Sequence, residues 1–276
     1  MTTPTRPILR YHGGKWNMAP KIIDLFPPHR IYVEPYGGGG SVLLRKPRSY
    51  AEVYNDLDGE IVNLFRVLRN PALARDLVRV VRLTPYAREE HELAYLTDGD
   101  PVEQARRTLV RSFMGFGSDG IKRKTGFRSN VLRSGTTPAG DWCGMPAILE
   151  QVVERLRGVV IENLPALSVI AKYDHAQALH YVDPPYPHET RSDDNRYRYE
   201  MKRADHVELA AALHQVKGHV ILSGYACDLY DCELYPDWQR IEFSAHADGA
   251  RNRVEVIWIK PGSTVQATLY AGEAIQ

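Results

Sequence analysis

The stretch Leu179-His180-Tyr181-Val182-Asp183-Pro184-Pro185-Tyr186 limits what this chain can fold into more than any other. An apolar run meets an acid, two prolines and an aromatic ring. Consecutive prolines donate nothing to a sheet ladder and each holds φ at about −65°, so a strand through Leu179 must end at Asp183. A carboxylate at the carboxyl end of a strand lies where open α/β sheets bind their ligands. The carbonyls of Asp183 and Pro184 lose their ladder partners and Tyr186 follows the rigid Pro185 bend, giving a polar slot beside an aromatic face. Such a slot suits a planar base with an exocyclic amine, whose two hydrogens the Asp183 carboxylate and the Pro184 carbonyl can accept while Tyr186 stacks on the ring. A strand followed by a ligand-free Pro-Pro turn is the competing reading, and context has to decide between them.

The amino-terminal part of the chain supplies that context. Residues 31–42 run from a β-branched and aromatic strand into Glu34-Pro35-Tyr36 and then Gly37-Gly38-Gly39-Gly40, followed by a helix-like 41–44. Strand, glycine turn and helix in that order cradle a nucleoside-bearing cofactor. The dinucleotide fingerprint asks for a third small residue three positions after its second glycine. Counted from Gly37 and Gly39, that position is Val42, which weakens a pyrophosphate reading. Glu34 would repel a pyrophosphate but would pair with a cationic amino-acid group. A second strand, residues 50–56, ends in Asp56, placed as a ribose-binding acid would be relative to Gly37. Upstream, Tyr11-His12-Gly13-Gly14-Lys15 joins a flexible turn to a point charge, which a ligand-free turn before a helix over 17–25 explains equally well.

From residue 71 to 157 the strand–helix alternation lapses. Helical periodicity covers 73–83, 89–96 and 102–114, and residues 115–130 follow as a glycine-rich run with phenylalanine and basic residues interleaved. The chain's formal net charge is only +1, so a basic surface has to be local. It gathers here, in Arg106, Arg107, Arg111, Lys122, Arg123, Lys124, Arg128 and Arg133. A loop of this composition suits a phosphate backbone, although a charge run is equally a solvated face. The alternation resumes with strands at 159–163 and 179–183, a polar aperiodic stretch over 187–200 that reads as a loop beside a site, and a helix N-capped by Asp205. Strands at 219–223, 238–244 and 253–259 complete the set, the last two as an antiparallel finish.

Cys143, Cys227 and Cys232 are too few and too scattered for a disulfide framework or a zinc cluster, and His12, His180 and His246 lack metal-ligand spacing. No apolar run approaches the roughly 18 residues of a membrane span, and the first residues lack a signal-peptide core. A cytoplasmic protein without metal or membrane is expected.

Taken in order, YHGGK, EPYGGGG, Asn55-Asp56, a basic insert, DPPY, the LSGY of residues 222–225 and the RVEVIWI of residues 253–259 resemble the Dam-type DNA adenine-N6 methyltransferases of the α class over nearly the whole chain. The resemblance implies an α/β fold: a seven-stranded Rossmann-like S-adenosylmethionine-dependent sheet carrying an inserted, mostly helical target-recognition domain. On that pattern residues 1–70 and 158–262 form the catalytic domain, 71–157 recognise duplex DNA, and 263–276 are a tail. It further implies that Tyr11, Gly13, Gly14 and Lys15 border S-adenosylmethionine, that Glu34, Pro35, Tyr36, Gly37 and Gly39 wrap its methionine part, and that Asp56 binds its ribose. Asp183, Pro184, Pro185 and Tyr186 would hold a flipped adenine, with Asp183 also at the cofactor's edge. Where the family places an acid after the third strand, Asn163 is the polar candidate. Lys122, Arg123, Lys124, Arg128 and Asn130 are the candidate DNA contacts, although Gly126-Phe127-Arg128 departs from the family's usual Gly-x-Phe-Asn. Site-specific methyl transfer to adenine N6 is the activity implied; cytosine N4, an RNA adenine, or a non-catalytic DNA-binding role on the same fold are the alternatives.

Overall fold

Seven strands form one sheet: β1 (Ile31–Glu34), β2 (Ala51–Asn55), β3 (Val159–Glu162), β4 (Ala178–Val182), β5 (His219–Tyr225), β6 (Gln239–His246) and β7 (Asn252–Ile259). The computed structural model describes residues 3–96, 99–131, 135–190, 198–246 and 252–263, with backbone alone for 244–246 and 252–253. Arg133, the centre of the 187–200 stretch and nearly all of the tail lie outside the described residues. The spatial order is β3-β2-β1-β4-β5-β7-β6. β1 pairs in parallel with β2 on one side and β4 on the other, and the order reverses between them. A crevice opens at such a switch point because the loops leaving the two strands diverge to opposite sides. β7 alone runs against its neighbours, antiparallel to both β5 and β6. All seven strands lie where the sequence places them. β4 is buried at every position, as a central parallel strand covered on both faces must be.

Among the described residues ten α-helices accompany the sheet: α1 (Ala19–Ile23), α2 (Ser41–Arg45), α3 (Gly59–Arg69), α4 (Pro71–Leu83), α5 (Arg88–Leu93), α6 (Pro101–Met114), α7 (Pro138–Cys143), α8 (Met145–Leu156), α9 (Ala166–Tyr173) and α10 (Arg203–Gln215). Their starts follow local chemistry. The Asp58 carboxylate accepts from Glu60 N at the head of α3, Asn70 caps α4 ahead of Pro71, and Asp100 caps α6 ahead of Pro101. α10 departs from the sequence reading. Its N-cap is Lys202, and Asp205 sits three residues in, accepting from the Lys202 backbone N–H at 2.7 Å. An acid three residues inside a helix can reach back as well as an N-cap can reach forward, so the same residue signals either start.

The 71–157 segment folds against the sheet and not around a core of its own. Leu77, Val81, Leu109 and Leu149 belong to one continuous apolar cluster with Leu179, Ile221 and Ile257 of the sheet. On α8, which no periodicity reading had singled out, the Arg155 guanidinium reaches Glu52 of β2 at 2.7 and 2.9 Å, and Lys46 meets the same carboxylate at 2.6 Å. α8 is thus a covering helix of the β2–β3 half as much as the end of an insert. Among the described residues no helix is long and apolar enough to cross a membrane.

Candidate active site

A cavity of about 430 Å³ opens at the carboxyl ends of β1, β2 and β4, a volume suited to one small organic cofactor. Tyr11, Gly13, Gly14, Lys15, Glu34, Pro35, Tyr36, Gly37, Gly39, Asp56 and Asp183, all expected from the sequence, line it together. The glycine turn is shaped by aromatic rings. A Cβ on Gly37 would stand 2.2 Å from the Tyr54 ring and one on Gly38, at φ +48°, would stand 2.9 Å from the Tyr11 ring. The Tyr54 hydroxyl donates to the Gly38 carbonyl at 2.6 Å. Gly40, at φ +62°, begins α2. Gly37, Gly38 and Gly40 therefore carry the requirement for glycine, whereas a Cβ on Gly39 would meet only ordinary contacts at 3.5 Å and beyond.

Acids dominate the walls: Glu34, Asp56, Asp58, Asp183, Asp205 and Glu208 face the cavity against Lys15 and Arg198. Asp56 braces the glycine turn, accepting from Gly38 N at 2.7 Å and from Asp58 N at 2.8 Å. Burial nevertheless raises its pKa to about 6, the two amide bonds opposing the shift. Glu34 accepts the Tyr32 hydroxyl at 2.7 Å and Leu43 N at 3.0 Å. Burial, assisted by the charge of Asp183, pushes it up to about 8 against those bonds. Both carboxyls hold protons more tightly than free acids do, and a cation entering the cavity would release them. Such a site suits a ligand carrying positive charge.

Asn163 does not join this group. Its amide donates to the carbonyls of Asp56 and Leu57 at 2.8 and 3.2 Å, tying the end of β3 to the Asp56 loop. The cavity wall there is Pro165, Ala166 and Leu167. An amide needs donors and acceptors close by, and the exposed carbonyls of a neighbouring strand end satisfy it before a ligand can.

β4 stops before Asp183 as the two prolines require, and Asp183 and Pro185 face the cavity. Pro184 and Tyr186 do not line it. The Tyr186 ring is 2% exposed and turned inward, edge-on to Tyr225 with centroids 4.7 Å apart. Its hydroxyl lies 3.0 Å from Asp183 Oδ1 and against Glu255 Oε1. The stacking face expected of Tyr186 is thus withdrawn, because its hydroxyl lies between two carboxylates that compete for its one proton. Lys15 completes the cluster, with Nζ 3.1 Å from Asp183 and 3.2 Å from Glu255. Ser223 donates to Asp183 Oδ1 at 2.7 Å. Ser223 and Glu255 lie in the LSGY and RVEVIWI stretches, yet nothing in spacing marks them, since only strand pairing brings them to Asp183. Arg198 and residues 199–201 also border the cavity. Arg198 pairs with Asp58 and Glu60, each at 3.0 Å, so the carboxyl end of the 187–200 stretch lies beside the site as expected.

The basic candidates separate. Arg123, Lys124 and Asn130 are exposed, and Arg123 pairs with Asp119 at 2.9 Å. Lys122 is half-buried, its Nζ 5.6 Å from the centroid of the Tyr11 ring at the cavity rim, so it faces the cofactor side and not an outer phosphate path. The Arg128 side chain is 11% exposed and sits 3.7 Å from Asp141, while its carbonyl accepts the Tyr86 hydroxyl at 2.6 Å. The Arg128 side chain, a candidate DNA contact from the sequence, is thus placed against Asp141. A guanidinium finds a nearby carboxylate more readily than it stays extended in water.

Residues 11–110 match the model of the D12 class N6 adenine-specific DNA methyltransferases. The Type II methyltransferase M1.LlaDCHI of Lactococcus lactis subsp. cremoris is 26% identical over 274 residues, covering 90% of each chain. Among solved structures, the rRNA methyltransferase aviRa from Streptomyces viridochromogenes aligns over 93% of this chain and 86% of its own, with a TM-score of 0.44 and 12% identity. The matched segment holds the YHGGK turn, the glycine turn and Asp56, the motifs that build one wall of the cavity, and the DPPY end of β4 supplies the facing wall. Over residues 11–110 the chain is thus similar to the D12 class N6 adenine-specific DNA methyltransferases, and over 90% of its length to a Type II methyltransferase.

Proposed function

We propose that the chain binds S-adenosylmethionine in this cavity and directs its methyl group to the N6 amine of an adenine turned out of duplex DNA. One observation carries the reading: Asp183 and the glycine turn with Asp56 open into the same cavity, so a base at Asp183 and a cofactor on the turn are neighbours. The residues fit a cofactor with two cationic centres. Glu34 and Asp56 are acids that a cation would discharge of their protons, and Gly37, Gly38 and Gly39 bring bare backbone to the cavity wall. Asp56 is suited to a ribose diol, and Glu34 to an ammonium. The cofactor, when bound, supplies an electrophilic methyl on a sulfonium that departs as a neutral thioether.

Adenine N6 is a weak nucleophile because its lone pair is delocalised into the ring, and positioning therefore matters more than a strong base. Asp183 accepts one N–H and turns the lone pair toward the methyl carbon. With the cofactor bound, the Asp183 carboxylate would also take up the N–H proton that N6 gives up on receiving the methyl. Residues 198–201 line the cavity on the side of the Asp58 and Glu60 carboxylates. Outside the cavity, Arg123, Lys124 and Asn130 are exposed and are candidate contacts to the DNA backbone or bases.

Transfer of a labelled methyl group to duplex DNA, followed by base analysis, tests the reading. N6-methyladenine is expected, with Asp183→Ala lowering product formation by at least about 100-fold while the cofactor still binds. Label in N4-methylcytosine, a preference for RNA over duplex DNA, or an Asp183→Ala variant of near-parental activity would overturn it.

A further inference from the structure

Glu255 is a buried acid that the reaction outlined above leaves unused. It stands on β7 opposite Tyr225 of β5 and Phe243 of β6, and is 4% exposed. Its Oε1 takes the Tyr186 hydroxyl and lies 3.2 Å from Lys15 Nζ. The same ammonium donates to the Gly13 carbonyl at 2.7 Å and reaches Asp183 Oδ1 at 3.1 Å, so its three protons meet three acceptors.

The donors around Asp183 are one-sided. Lys15, Ser223 and Tyr186 all approach Oδ1, at 3.1, 2.7 and 3.0 Å. An oxygen with two lone pairs is more than filled by three donors, so Oδ2 is the atom available to a ligand. Tyr186 has one hydroxyl proton for two carboxylates. When Glu255 is ionised that proton goes to Glu255, and Lys15 with Ser223 fills Oδ1.

We propose that Glu255 is a positioning residue for methyl transfer: by holding Lys15 and the Tyr186 hydroxyl, it keeps Asp183 turned with Oδ1 inward and Oδ2 toward the adenine amine. The proposal rests on the reading that Asp183 receives that amine. Without the Glu255 charge, the Lys15 ammonium closes onto Asp183 alone and the Tyr186 proton returns to it, so the carboxylate is pulled from the orientation the amine needs. Burial raises the proton affinity of Glu255, with Lys15 opposing and Asp183 assisting. The groups facing it are Lys15 from the amino-terminal turn, Asp183 and Tyr186 beyond β4, and Tyr225 on β5. The working geometry therefore assembles as pH rises and Glu255 gives up its proton.

The test is Glu255→Gln, nearly isosteric but uncharged, beside Glu255→Asp, which keeps the charge on a shorter stem. In single-turnover transfer to duplex DNA, Glu255→Gln should fall by about 10- to 100-fold, with cofactor and DNA dissociation constants within about threefold of the parent. Its rate should lose the rise with pH that the parent shows, and Glu255→Asp should recover part of both. In the free protein the carboxyl ¹³C resonance of Asp183 should move in Glu255→Gln, a readout independent of any transfer. A Glu255→Gln rate within about threefold of the parent at every pH, a loss explained by weaker DNA or cofactor binding alone, or Glu255→Asp no better than Glu255→Gln would overturn the proposal. If the parent itself moves no label to DNA, the functional reading fails; an unmoved Asp183 resonance then overturns the Glu255 assignment, and a moved one sustains the coupling it is built on. Should Glu255→Gln fail to fold, Glu255→Asp decides by the same rate and resonance.

Discussion

Glu34 illustrates how a single buried acid couples stability, pH and ligand charge. Its pKa is raised from 4.5 to about 8, so the folded chain retains a proton that the unfolded chain releases at lower pH. The group's favourable contribution is complete below about pH 4.5 and is lost as pH rises through about 8. Glu34→Gln keeps an acceptor for Tyr32 and Leu43 but removes the ionisation. Denaturant unfolding should find the variant similar to the parent at pH 5 and more stable than it at pH 8.5. The same carboxyl gives binding a proton signature: a cationic cofactor at Glu34 should expel a proton near pH 7, read by calorimetry in buffers of different ionisation enthalpy, and Glu34→Gln should abolish that release. Asp56→Ala acts on affinity. It removes the acceptor that braces Gly38 and faces the cavity, so the cofactor dissociation constant should rise by the equivalent of roughly 1.5–3 kcal/mol, checked by equilibrium dialysis.

At the scale of elements, the turn between β1 and α2 shows why four glycines in a row are not equivalent. Gly37→Ala drives a methyl group into the Tyr54 ring, which is stacked on Phe65 at a centroid separation of 4.2 Å and has no room to retreat. A loss of about 1–3 kcal/mol in unfolding free energy is expected, with weaker cofactor binding. Gly39→Ala, two residues along the same turn, should shift stability by less than about 1 kcal/mol, since its Cβ meets only ordinary contacts. Equal losses in the two variants would show that the turn is not held by the rings beneath it. The end of β4 is the counterpart of this turn on the other side of the switch point. There the chain's two prolines stop the ladder, and the strand pairings of β4 with β5 and of β5 with β7 bring Ser223 and Glu255 to the carboxylate so released.

For the molecule as a whole, the charge that a near-neutral chain concentrates in residues 101–133 is divided by the fold between an inner and an outer use. Arg106 and Arg111 are spent on Glu103, Glu90 and Glu60 within the helical layer, Lys122 turns to the cavity rim and Arg128 to Asp141. Lys124 and Arg123 remain on the surface. Lys124→Ala should weaken binding to all duplex sequences alike and lower the salt slope by about one unit, measured by fluorescence anisotropy across salt concentrations. Arg128→Ala should instead reduce stability by about 1–2 kcal/mol without altering the preference among DNA sequences. A change of preference at one base pair would return Arg128 to the recognition surface.

All seven strands and most of the helices were legible from order and spacing alone, as were the amino-terminal turn, the glycine turn, Asp56 and Asp183 of the cavity wall, but not Pro165, Ala166, Leu167, Asp205 or Glu208. Proline, glycine and β-branched runs act on the backbone locally, and a carboxylate at a strand end points to the same edge whatever surrounds it. The DPPY end of β4 and the Gly37–Asp56 spacing mark strand ends that the fold brings to one cavity. Tertiary structure alone decided which way side chains turned once those positions were set. Tyr186 turned inward because Glu255, 69 residues away in sequence, accepts its hydroxyl. Asn163 was taken up by the carbonyls of a neighbouring loop, Arg128 by Asp141, and α8 by the buried Glu52. Each depends on a partner distant in sequence, and the energy of a buried polar group is set by whichever partner packing brings within hydrogen-bond reach.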